Sequence, residues 1–270
     1  MYLAVENYST RRMNNLDWLK DCTVIVTGGA SGIGQAVAVL AGTAGAQVVI
    51  ADIDSDLGLK TEEDIREKGG VATFFHTDVT NSEQVADTIN DAAKAGPVKF
   101  VCNSAGLQTY GTTETTSEES WDLTLDVNLK SMFLVNKTVI PHLRANGGGA
   151  IVNISSIQGL RCQRNVLAYA TAKGAVIAMT RSMGLDHARE GIYVNCICPG
   201  SVDTPLLRYG AGQHGNVEEV LKDWGENHPI GRIGTPEEIA KVVLFLWGPD
   251  SNFIVGQAIV ADGGLGSIIL

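Results

Sequence analysis

The sequence alternates between short runs rich in Val and Ile and longer stretches in which apolar residues recur every three or four positions. Short apolar runs are typical of buried strands, and the longer pattern is typical of amphipathic helices. Seven strands are predicted, at Thr23–Thr27, Gln47–Ala51, Ala72–His76, Phe100–Asn103, Ala150–Ile154, Tyr193–Ile197 and Ala258–Val260. Because helical stretches separate the strands, the pattern predicts an α/β fold, a doubly wound parallel sheet with helices on both faces.

Three of the predicted helices have clear signals. The two longest periodic stretches cover residues 117–144 and 168–190. A further helix is predicted to begin after Thr235, because the sequence Thr-Pro-Glu-Glu provides a capping box and a proline at the first helical position.

No repeat, low-complexity segment or linker divides the chain, so we expect one domain over residues 18–270 that follows an N-terminal tail over residues 1–17. One irregular stretch, about 201–227, contains four glycines. It is long enough to form a flexible flap over a site.

The composition limits the classes of partner. The 270 residues carry a net charge of −10, so we expect no basic surface that would bind nucleic acid or an anionic membrane. No apolar run is long enough to cross a bilayer, and no secretory signal is recognisable. The five cysteines lack CxxC spacing and lie mostly in apolar runs, which favours buried thiols without a metal in a reducing compartment. We therefore expect a cytoplasmic protein.

A glycine-rich turn follows the first predicted strand, with the sequence Thr-Gly-Gly-Ala-Ser-Gly-Ile-Gly over residues 27–34. Glycines allow a tight turn and let backbone amides approach a pyrophosphate, while the next helix directs its positive end at the same phosphate. The position in the first βα unit favours a dinucleotide site over an ordinary turn. The predicted cofactor contacts here are Gly28, Ser31, Gly32, Ile33 and Gly34.

Asp52 ends the second predicted strand, about twenty residues after the turn. At that spacing a carboxylate can accept hydrogen bonds from the adenosine ribose. The same carboxylate would repel the 2′-phosphate of NADP. Since no Lys or Arg lies in the glycine turn or directly after Asp52, NAD(H) is the predicted cofactor, with Ile53 beside the ribose. The alternative is a solvated loop of Asp52, Asp54 and Asp56, in which Asp54 or Ser55 caps the next helix.

With these motifs in place, the chain resembles the short-chain dehydrogenase/reductase family from Leu19 to Gly264. The family's TGxxxGxG turn matches residues 27–34. Its further cofactor motifs match Asp78-Val79, Asn103-Ser104-Ala105-Gly106, and Pro199-Gly200 with Val202 and Thr204. The resemblance implies a Rossmann-type fold in which Asp78 and Val79 contact the adenine and the segment from Pro199 contacts the nicotinamide. Ser104 departs from the family, which has a second asparagine there.

The resemblance also implies a catalytic tetrad of Asn128, Ser156, Tyr169 and Lys173. Residues four apart share one helix face, so Tyr169 and Lys173 would project together. A nearby ammonium and the positive nicotinamide would lower the pKa of the tyrosine, which is otherwise near 10. In the family this tyrosine exchanges the substrate proton, the lysine also holds the nicotinamide ribose, and the asparagine positions a water. Ser155 is the alternative to Ser156, and a surface Tyr169 beside a solvated Lys173 is the alternative to catalysis.

Substrate contacts are predicted from the segment before Tyr169, where Gln158, Arg161 and Arg164 lie, and from Arg208 on the flap. This polar set favours a small hydroxylated substrate such as a sugar, a polyol or a sugar acid, and an arginine could bind a carboxylate or sulfonate. Alternatively, each arginine faces solvent or a neighbouring subunit. His214 and His228 are expected at the surface rather than in the pocket.

Two other functions stay open. A reductase of 3-oxoacyl thioesters or other ketones would share the motifs, although Asp52 argues against the NADP(H) that such enzymes often use. A non-catalytic nucleotide-binding regulator could share the fold. The two long helices resemble those by which family members form dimers and tetramers, and the apolar tail 267–270 would be costly in water, so a homo-oligomer is expected.

Overall fold

The computed structural model describes residues 16–267, which form one α/β domain around a parallel sheet. Its strands are β1 (Thr23–Thr27), β2 (Gln47–Asp52), β3 (Val71–His76), β4 (Val98–Asn103), β5 (Gly149–Ile154), β6 (Ile192–Pro199) and β7 (Ala258–Ala261). They pair in the order β3-β2-β1-β4-β5-β6-β7, and every pairing is parallel. The predicted Rossmann-type sheet is confirmed, and each strand lies within two residues of its predicted position.

Nine α-helices connect or follow the strands within the described residues. They are α1 (Gly32–Thr43), α2 (Ser55–Glu67), α3 (Ser82–Ala95), α4 (Glu118–Leu125), α5 (Ser131–Ala145), α6 (Leu167–His187), α7 (Pro205–Gly212), α8 (Val217–Glu226) and α9 (Pro236–Trp247). A π-helical segment, Asp126–Lys130, joins α4 to α5, and short 3-10 turns include Ile157–Gly159. None of the helices in the described range is long and apolar enough to cross a membrane.

The sheet is buried on both faces because alternate residues of each strand enter different apolar clusters. In β1, Val24 and Val26 pack with α1 and α9, while Ile25 packs on the opposite side with α3 and α5. A period of two along a strand sends successive side chains to opposite faces. The continuous Val and Ile runs of the sequence therefore reflect burial on both sides.

The strand order reverses between β1 and β4, since the chain first builds outward through β2 and β3 and then restarts at β4 on the other side of β1. In open parallel sheets a ligand crevice forms at such a switch point, beyond the carboxyl ends of the strands. The loops after β1, β2, β3, β4, β5 and β6 all emerge at that edge. The topology alone therefore brings the distant sequence motifs together.

One local prediction, the irregular stretch 201–227, is wrong. The stretch 201–227 is largely helical, because Thr204 and Asn216 accept hydrogen bonds from backbone amides at the starts of α7 and α8 and Pro205 occupies the first turn of α7. The helix predicted over 117–144 is confirmed in extent, and its middle turn is π-helical. The capping box at Thr235 is confirmed.

The chain ends lie partly outside the described residues. Of the predicted N-terminal tail, residues 1–15 are outside, whereas Asp17 begins a 3-10 turn that buries Leu19. Trp18 of this turn contacts Phe100 edge-on at 5.2 Å between ring centroids. Of the apolar C-terminal tail, residues 268–270 are outside.

Candidate functional site

A cavity of about 1040 Å³ lies beyond the carboxyl ends of the strands. One part of it, the glycine-turn end, is formed by the loops after β1, β2 and β3. The other part, the flap end, is formed by the loops after β4 and β5, by α6, and by the α7–α8 segment. Its volume exceeds what a small substrate alone requires and suits a dinucleotide together with a substrate.

Two glycines of the turn are required by close backbone approaches. Gly28 has φ of +66°, and a Cβ there would lie 2.6 Å from the backbone nitrogen of Ala105. A Cβ at Gly34 would lie 2.0 Å from the carbonyl oxygen of Gly28. Gly28, Ser31, Gly32 and Ile33 line the cavity as predicted, whereas Gly34 does not line it and instead allows α1 to pack against the turn.

The N-terminus of α1 is open toward the cavity. Its N-cap residue, Ser31, makes no side-chain capping hydrogen bond, so the first-turn amides of the helix have no side-chain acceptor in the described chain. Unpartnered amides at a helix start bind anions, aided by the helix dipole. The bare glycine surface and these amides fit the pyrophosphate of a dinucleotide.

The carboxylate of Asp52 is held against the glycine turn. It accepts a hydrogen bond from the backbone amide of Ala30 at 2.9 Å and one from the amide of Asp54 at 3.1 Å. Asp54 itself caps α2 by accepting from the Leu57 amide at 3.0 Å. The alternative in which Asp52 belongs to a solvated capping loop is therefore right for Asp54 and wrong for Asp52.

Among the residues that the structure describes, the glycine-turn end carries negative but no positive side chains. Asp52 and Asp78 line it, with Ile53 and Val79, whereas the Lys and Arg side chains that line the cavity are Lys173 and Arg161, both at the flap end. Asp78 accepts from the amide and hydroxyl of Thr80 at 2.9 and 2.7 Å. This charge distribution fits ribose hydroxyls and opposes an additional phosphate.

The segment after β4 brings Ala105 and Gly106 into the cavity wall, but Asn103 lies beneath the wall. The buried amide of Asn103 donates to Asn136 at 2.9 Å and to Asn153 at 2.8 Å, so it braces the sheet rather than contacting a ligand. Ser104, the departure from the family pattern, keeps its backbone amide bonded to the carbonyl of Thr27 at 3.1 Å. The substitution therefore leaves this turn attached to β1.

Tyr169 and Lys173 share one face of α6 and both line the cavity, as their spacing predicted. They are 7% and 4% exposed, so the alternative of a surface tyrosine beside a solvated lysine is excluded. The Lys173 Nζ lies 5.6 Å from the centroid of the tyrosine ring and donates to the carbonyl of Ile154 at 2.9 Å.

Burial moves the pKa values of this pair in opposite directions. It raises the pKa of Tyr169 to about 12, an effect that the neighbouring Ser156 hydroxyl opposes. It lowers the pKa of Lys173 to about 8, against a raising effect of Cys198. In the protein by itself, desolvation of the phenolate dominates the pKa of Tyr169. The lowering expected from Lys173 together with the positive nicotinamide stays a prediction.

Asn128 lies in the π-helical segment and is fully buried behind the cavity wall. Its side-chain amide donates to the carbonyls of Leu107 and Thr124, both at 2.9 Å. A Cβ at Gly106 would lie 2.9 Å from the Asn128 side-chain oxygen and 3.5 Å from the Lys173 Nζ. Both side chains therefore lie close to this glycine. π-Helical turns in α-helices are frequent at functional sites.

The two serines after β5 have different partners. Ser155 donates its hydroxyl to the carbonyl of Lys173 at 2.8 Å, which fixes the start of this loop to α6. Ser156 accepts from the amide of Gln158 at 3.1 Å and lies beside the hydroxyl of Tyr169. The geometry favours Ser156 as the hydroxyl next to the tyrosine.

The segment after β6 lines the middle of the cavity through Pro199, Gly200, Val202 and Thr204, as predicted. Thr204 also caps α7. His228 also lines the cavity. The prediction of a surface position is wrong for this residue, because its side chain is only 3% exposed. Its Nε2 accepts from the Ser201 amide at 3.2 Å, and its Nδ1 bonds the Trp224 carbonyl at 2.7 Å.

Of the predicted substrate contacts, Gln158 and Arg161 line the cavity, whereas Arg164 and Arg208 do not. Arg208 binds Asp203 at 2.6 Å and Glu218 at 2.8 Å, so it joins α7 to α8. Sequence reasoning missed the apolar part of this end, formed by Leu107, Leu123, Val127, Leu206, Leu207 and Trp224. A signal for Leu206 and Leu207 was present, since Thr-Pro at 204–205 indicates a helix start.

Comparison with known proteins identifies oxidoreductases as relatives of this chain. A family model described as enoyl-(acyl carrier protein) reductase matches residues 28–266. An uncharacterized oxidoreductase of Bacillus subtilis (strain 168) is 38% identical over 255 residues, which cover 92% of each chain. The 2-(S)-hydroxypropyl-CoM dehydrogenase 3 of Xanthobacter autotrophicus is 34% identical over 251 residues, 93% of this chain and 98% of that protein.

Solved structures of dehydrogenases and reductases are similar over almost the whole length. The ligand-free aldohexose dehydrogenase of Thermoplasma acidophilum has a TM-score of 0.85 at 34% identity, covering 94% of this chain and 97% of its own. A variant of actinorhodin polyketide ketoreductase with NADPH has a TM-score of 0.88 at 31% identity, covering 92% and 98%. The similar proteins therefore include both nicotinamide-linked directions of reaction, without one common substrate.

Proposed function

Because the chain belongs to the short-chain dehydrogenase/reductase family, we propose that it is an NAD(H)-dependent oxidoreductase of a small polar alcohol, such as a sugar, a polyol or a sugar acid. The observation that carries this proposal is the convergence of Ser156, Tyr169 and Lys173 at the flap end of one cavity, with Asn128 buried behind its wall. The glycine turn and Asp52 lie at its other end. Nicotinamide supplies the hydride acceptor or donor when it is bound.

Tyr169 is the acid/base group in this proposal. During oxidation its phenolate accepts the proton of the substrate hydroxyl, and during reduction its phenol returns that proton to the carbonyl oxygen. With a pKa raised to about 12, the phenol alone holds its proton at neutral pH. Additional positive charge at the flap end lowers that pKa and makes the proton exchangeable.

The other three residues prepare the tyrosine and the substrate. Lys173 contributes positive charge close to the Tyr169 ring, and its anchoring to the Ile154 carbonyl fixes its position. Ser156 binds the substrate oxygen and stabilises its developing charge. Asn128 holds the Leu107 loop against the π-helical segment and thereby keeps Gly106 against the lysine.

The proposed preference for NAD(H) rests on Asp52. Its carboxylate is fixed by the Ala30 and Asp54 amides, and within residues 16–267 no Lys or Arg lines the glycine-turn end to balance a 2′-phosphate. We also propose that α7 and α8 form the flap predicted over 201–227. Leu206, Leu207 and Trp224 would then cover the substrate when the flap closes.

The test is a rate measurement with both cofactors. Nicotinamide reduction is followed with NAD and with NADP across aldoses, polyols, hydroxy acids and hydroxyacyl thioesters. We expect turnover with NAD on at least one small polar alcohol and a kcat/KM for NADP that is lower by tenfold or more. Binding of NAD without turnover on any substrate would favour the regulatory function, and equal use of NADP would overturn the role of Asp52.

A reductase of larger ketones is the second candidate, and the apolar wall of the flap end favours it. Leu107, Leu123 and Val127 would contact a hydrocarbon substrate better than a sugar. This candidate predicts faster NADH-dependent reduction of cyclic or acyl ketones than oxidation of any polyol, so the same substrate panel, run in both directions, separates the two.

We further propose that two or four copies assemble through α5 and α6. These helices expose Phe133 and Leu185, whose side chains are 53% and 77% accessible. Exposed large apolar side chains on a helix surface are typical of subunit contacts.

A further inference from the structure

The flap end of the cavity has an unbalanced positive charge. Arg161 lines it, and the carboxylates that line the cavity, Asp52 and Asp78, lie at the glycine-turn end. Within the described part of the chain, the Arg161 guanidinium makes neither a salt bridge nor a side-chain hydrogen bond. By contrast, Arg208 is bound by Asp203 and Glu218.

The backbone fixes Arg161 close to the reacting groups. The 3-10 turn Ile157–Gly159 starts at Ser156, and the amide of Arg161 donates to the carbonyl of Ile157 at 2.8 Å. The guanidinium is therefore attached to the same tight turn as the hydroxyl that lies beside Tyr169.

Gln158, on the same turn, has an unused hydrogen-bonding group. Its side-chain oxygen is buried without a donor in the described chain. The hydrogen bonds that Gln158 does make, to Ser156 and Cys162, use its backbone amide and carbonyl. An unpaired buried acceptor is unfavourable until a donor arrives. A rotation of this cavity-lining side chain would present the oxygen to a substrate hydroxyl, which can supply that donor.

The cavity that these two side chains line also has an apolar surface formed by Leu206, Leu207 and Trp224. A uniformly hydroxylated sugar would leave its hydroxyls unpaired against that surface, at a cost for each unpaired group. A short carbon chain with one charged end would satisfy both sides. The flap end therefore discriminates within the class of polar alcohols.

We propose that Arg161 and Gln158 form a recognition pair for an anionic substrate, a short hydroxy acid, sugar acid or hydroxyalkyl sulfonate. This inference rests on the proposed alcohol dehydrogenase function. The guanidinium binds the carboxylate or sulfonate with two parallel hydrogen bonds, and Gln158 accepts from a hydroxyl next to the reacting carbon. The carbinol itself lies between Ser156 and Tyr169.

The first experiment compares charged and neutral substrates of equal size at constant ionic strength, for example an aldonate with its aldose and glycerate with glycerol. In Arg161→Gln we expect kcat/KM on the anions to fall about 10- to 100-fold, the range for a lost charge-assisted hydrogen bond, through a higher KM. Turnover of neutral substrates should fall by a smaller factor, so the test is the ratio of kcat/KM on anionic substrates to kcat/KM on neutral ones. Arg161→Lys should recover part of the loss, since it keeps the charge without the planar fork.

The matched control is Arg164→Gln, which removes an equal charge three residues away on the same loop but outside the cavity lining. An equal loss in this variant would show that the general charge of the loop matters and would overturn the role of Arg161. An equal loss on neutral and anionic substrates in Arg161→Gln would also overturn it, because the effect would then be structural.

A binding measurement separates this inference from the proposed function. Calorimetric titration of the NADH-loaded protein with propane-1-sulfonate requires no turnover. Binding that Arg161→Gln abolishes supports the anion site even where no alcohol is oxidised. Absence of sulfonate binding in the unaltered protein, together with turnover of neutral alcohols alone, would refute the anion site while leaving the dehydrogenase function intact.

Discussion

At the scale of single residues, burial of two ionisable groups is the dominant feature of the site. Tyr169 and Lys173 lie in the same wall of the cavity. Burial raises the pKa of the tyrosine and lowers the pKa of the lysine, so it favours the neutral form of both. A phenol and an amine with such pKa values respond strongly to any added charge, because little solvent screens it. The site is therefore sensitive to whether a positive nicotinamide is bound.

Replacing Tyr169 by Phe should lower kcat about 10²- to 10⁴-fold, the usual contribution of a positioned acid/base group. The ring remains and only the hydroxyl is lost, so the affinity for NAD should change less than threefold by calorimetric titration. Tyr209→Phe is the control, because it removes a phenol that is 60% exposed and outside the cavity lining. Retained turnover in Tyr169→Phe would eliminate this tyrosine as the acid/base group.

Lys173 should make the stability of the protein depend on pH. Its pKa in the folded protein is about 8 and its ordinary value is 10.5, so the unfolded chain binds more protons between these pH values. The free energy of unfolding should therefore rise with pH across this window, by a total of about 3 kcal/mol.

Lys173→Met removes this dependence. The free energy of unfolding of the unaltered protein should therefore rise relative to that of Lys173→Met as the pH increases from 7 toward 10.5. Urea denaturation at pH 7, 8, 9 and 10 measures it, with the exposed Lys60→Met as control. Parallel stability curves for Lys173→Met and the unaltered protein would contradict the burial of a titrating ammonium.

Asp52→Asn should relax the selection of the cofactor. The substitution keeps the size of the side chain and removes the negative charge that opposes a 2′-phosphate, so kcat/KM for NADP should increase about tenfold, a change worth about 1.4 kcal/mol. Asp54→Asn is the matched control, because its carboxylate caps α2 without lining the cavity. An unchanged ratio of NAD to NADP use in Asp52→Asn would remove the electrostatic argument.

At the scale of elements, the sequence predicts the helices and strands whose apolar residues repeat at one regular interval from end to end. The strands follow from runs of β-branched residues that are buried on both faces, and Tyr169 and Lys173 follow from helical spacing. The π-helical turn around Asn128 was not predictable in this way, because one additional residue in a turn leaves the apolar pattern almost unchanged. The placement of Arg208 was equally hidden, since its partner Glu218 lies on the next helix.

His228 connects the flap to the rest of the cavity in a way that depends on a tertiary contact. Replacing it by Phe preserves an aromatic ring but leaves the Ser201 amide and the Trp224 carbonyl without their partner. We expect a loss of about 1–3 kcal/mol in the free energy of unfolding and a higher KM, because the α7–α8 segment is less firmly held. Denaturant titration and initial rates measure both effects.

The control for this variant is His214→Phe. His214 makes edge contacts with Tyr110 and Trp224 at 6.3 and 5.8 Å between ring centroids, and a phenyl ring can reproduce these contacts. Its stability should stay within about 0.5 kcal/mol of the unaltered protein. Equal effects of the two substitutions would show that ring packing, not the hydrogen bonds of His228, holds the flap.

At the scale of the whole molecule, the switch in strand order determines where chemistry can occur. Residues from the first and last thirds of the chain meet at one edge because β4 returns to the centre of the sheet beside β1. That edge could be predicted from the βα alternation, but the contents of the flap end could not. Its apolar wall comes from α7 and α8, whose glycines masked their helical pattern.

Assembly is the remaining property at this scale, and we propose that the exposed faces of α5 and α6 govern it. Phe133 on α5 and Leu185 on α6 expose apolar side chains that water disfavours, so a charge at either position should weaken an interface formed there. In sedimentation equilibrium at micromolar concentration, the unaltered protein should have the mass of two or four chains, and Phe133→Asp or Leu185→Asp should lower it. Phe253→Asp, at a fully exposed position outside both helices, should keep the original mass. A monomeric unaltered protein would mean that these side chains have another role than subunit contact.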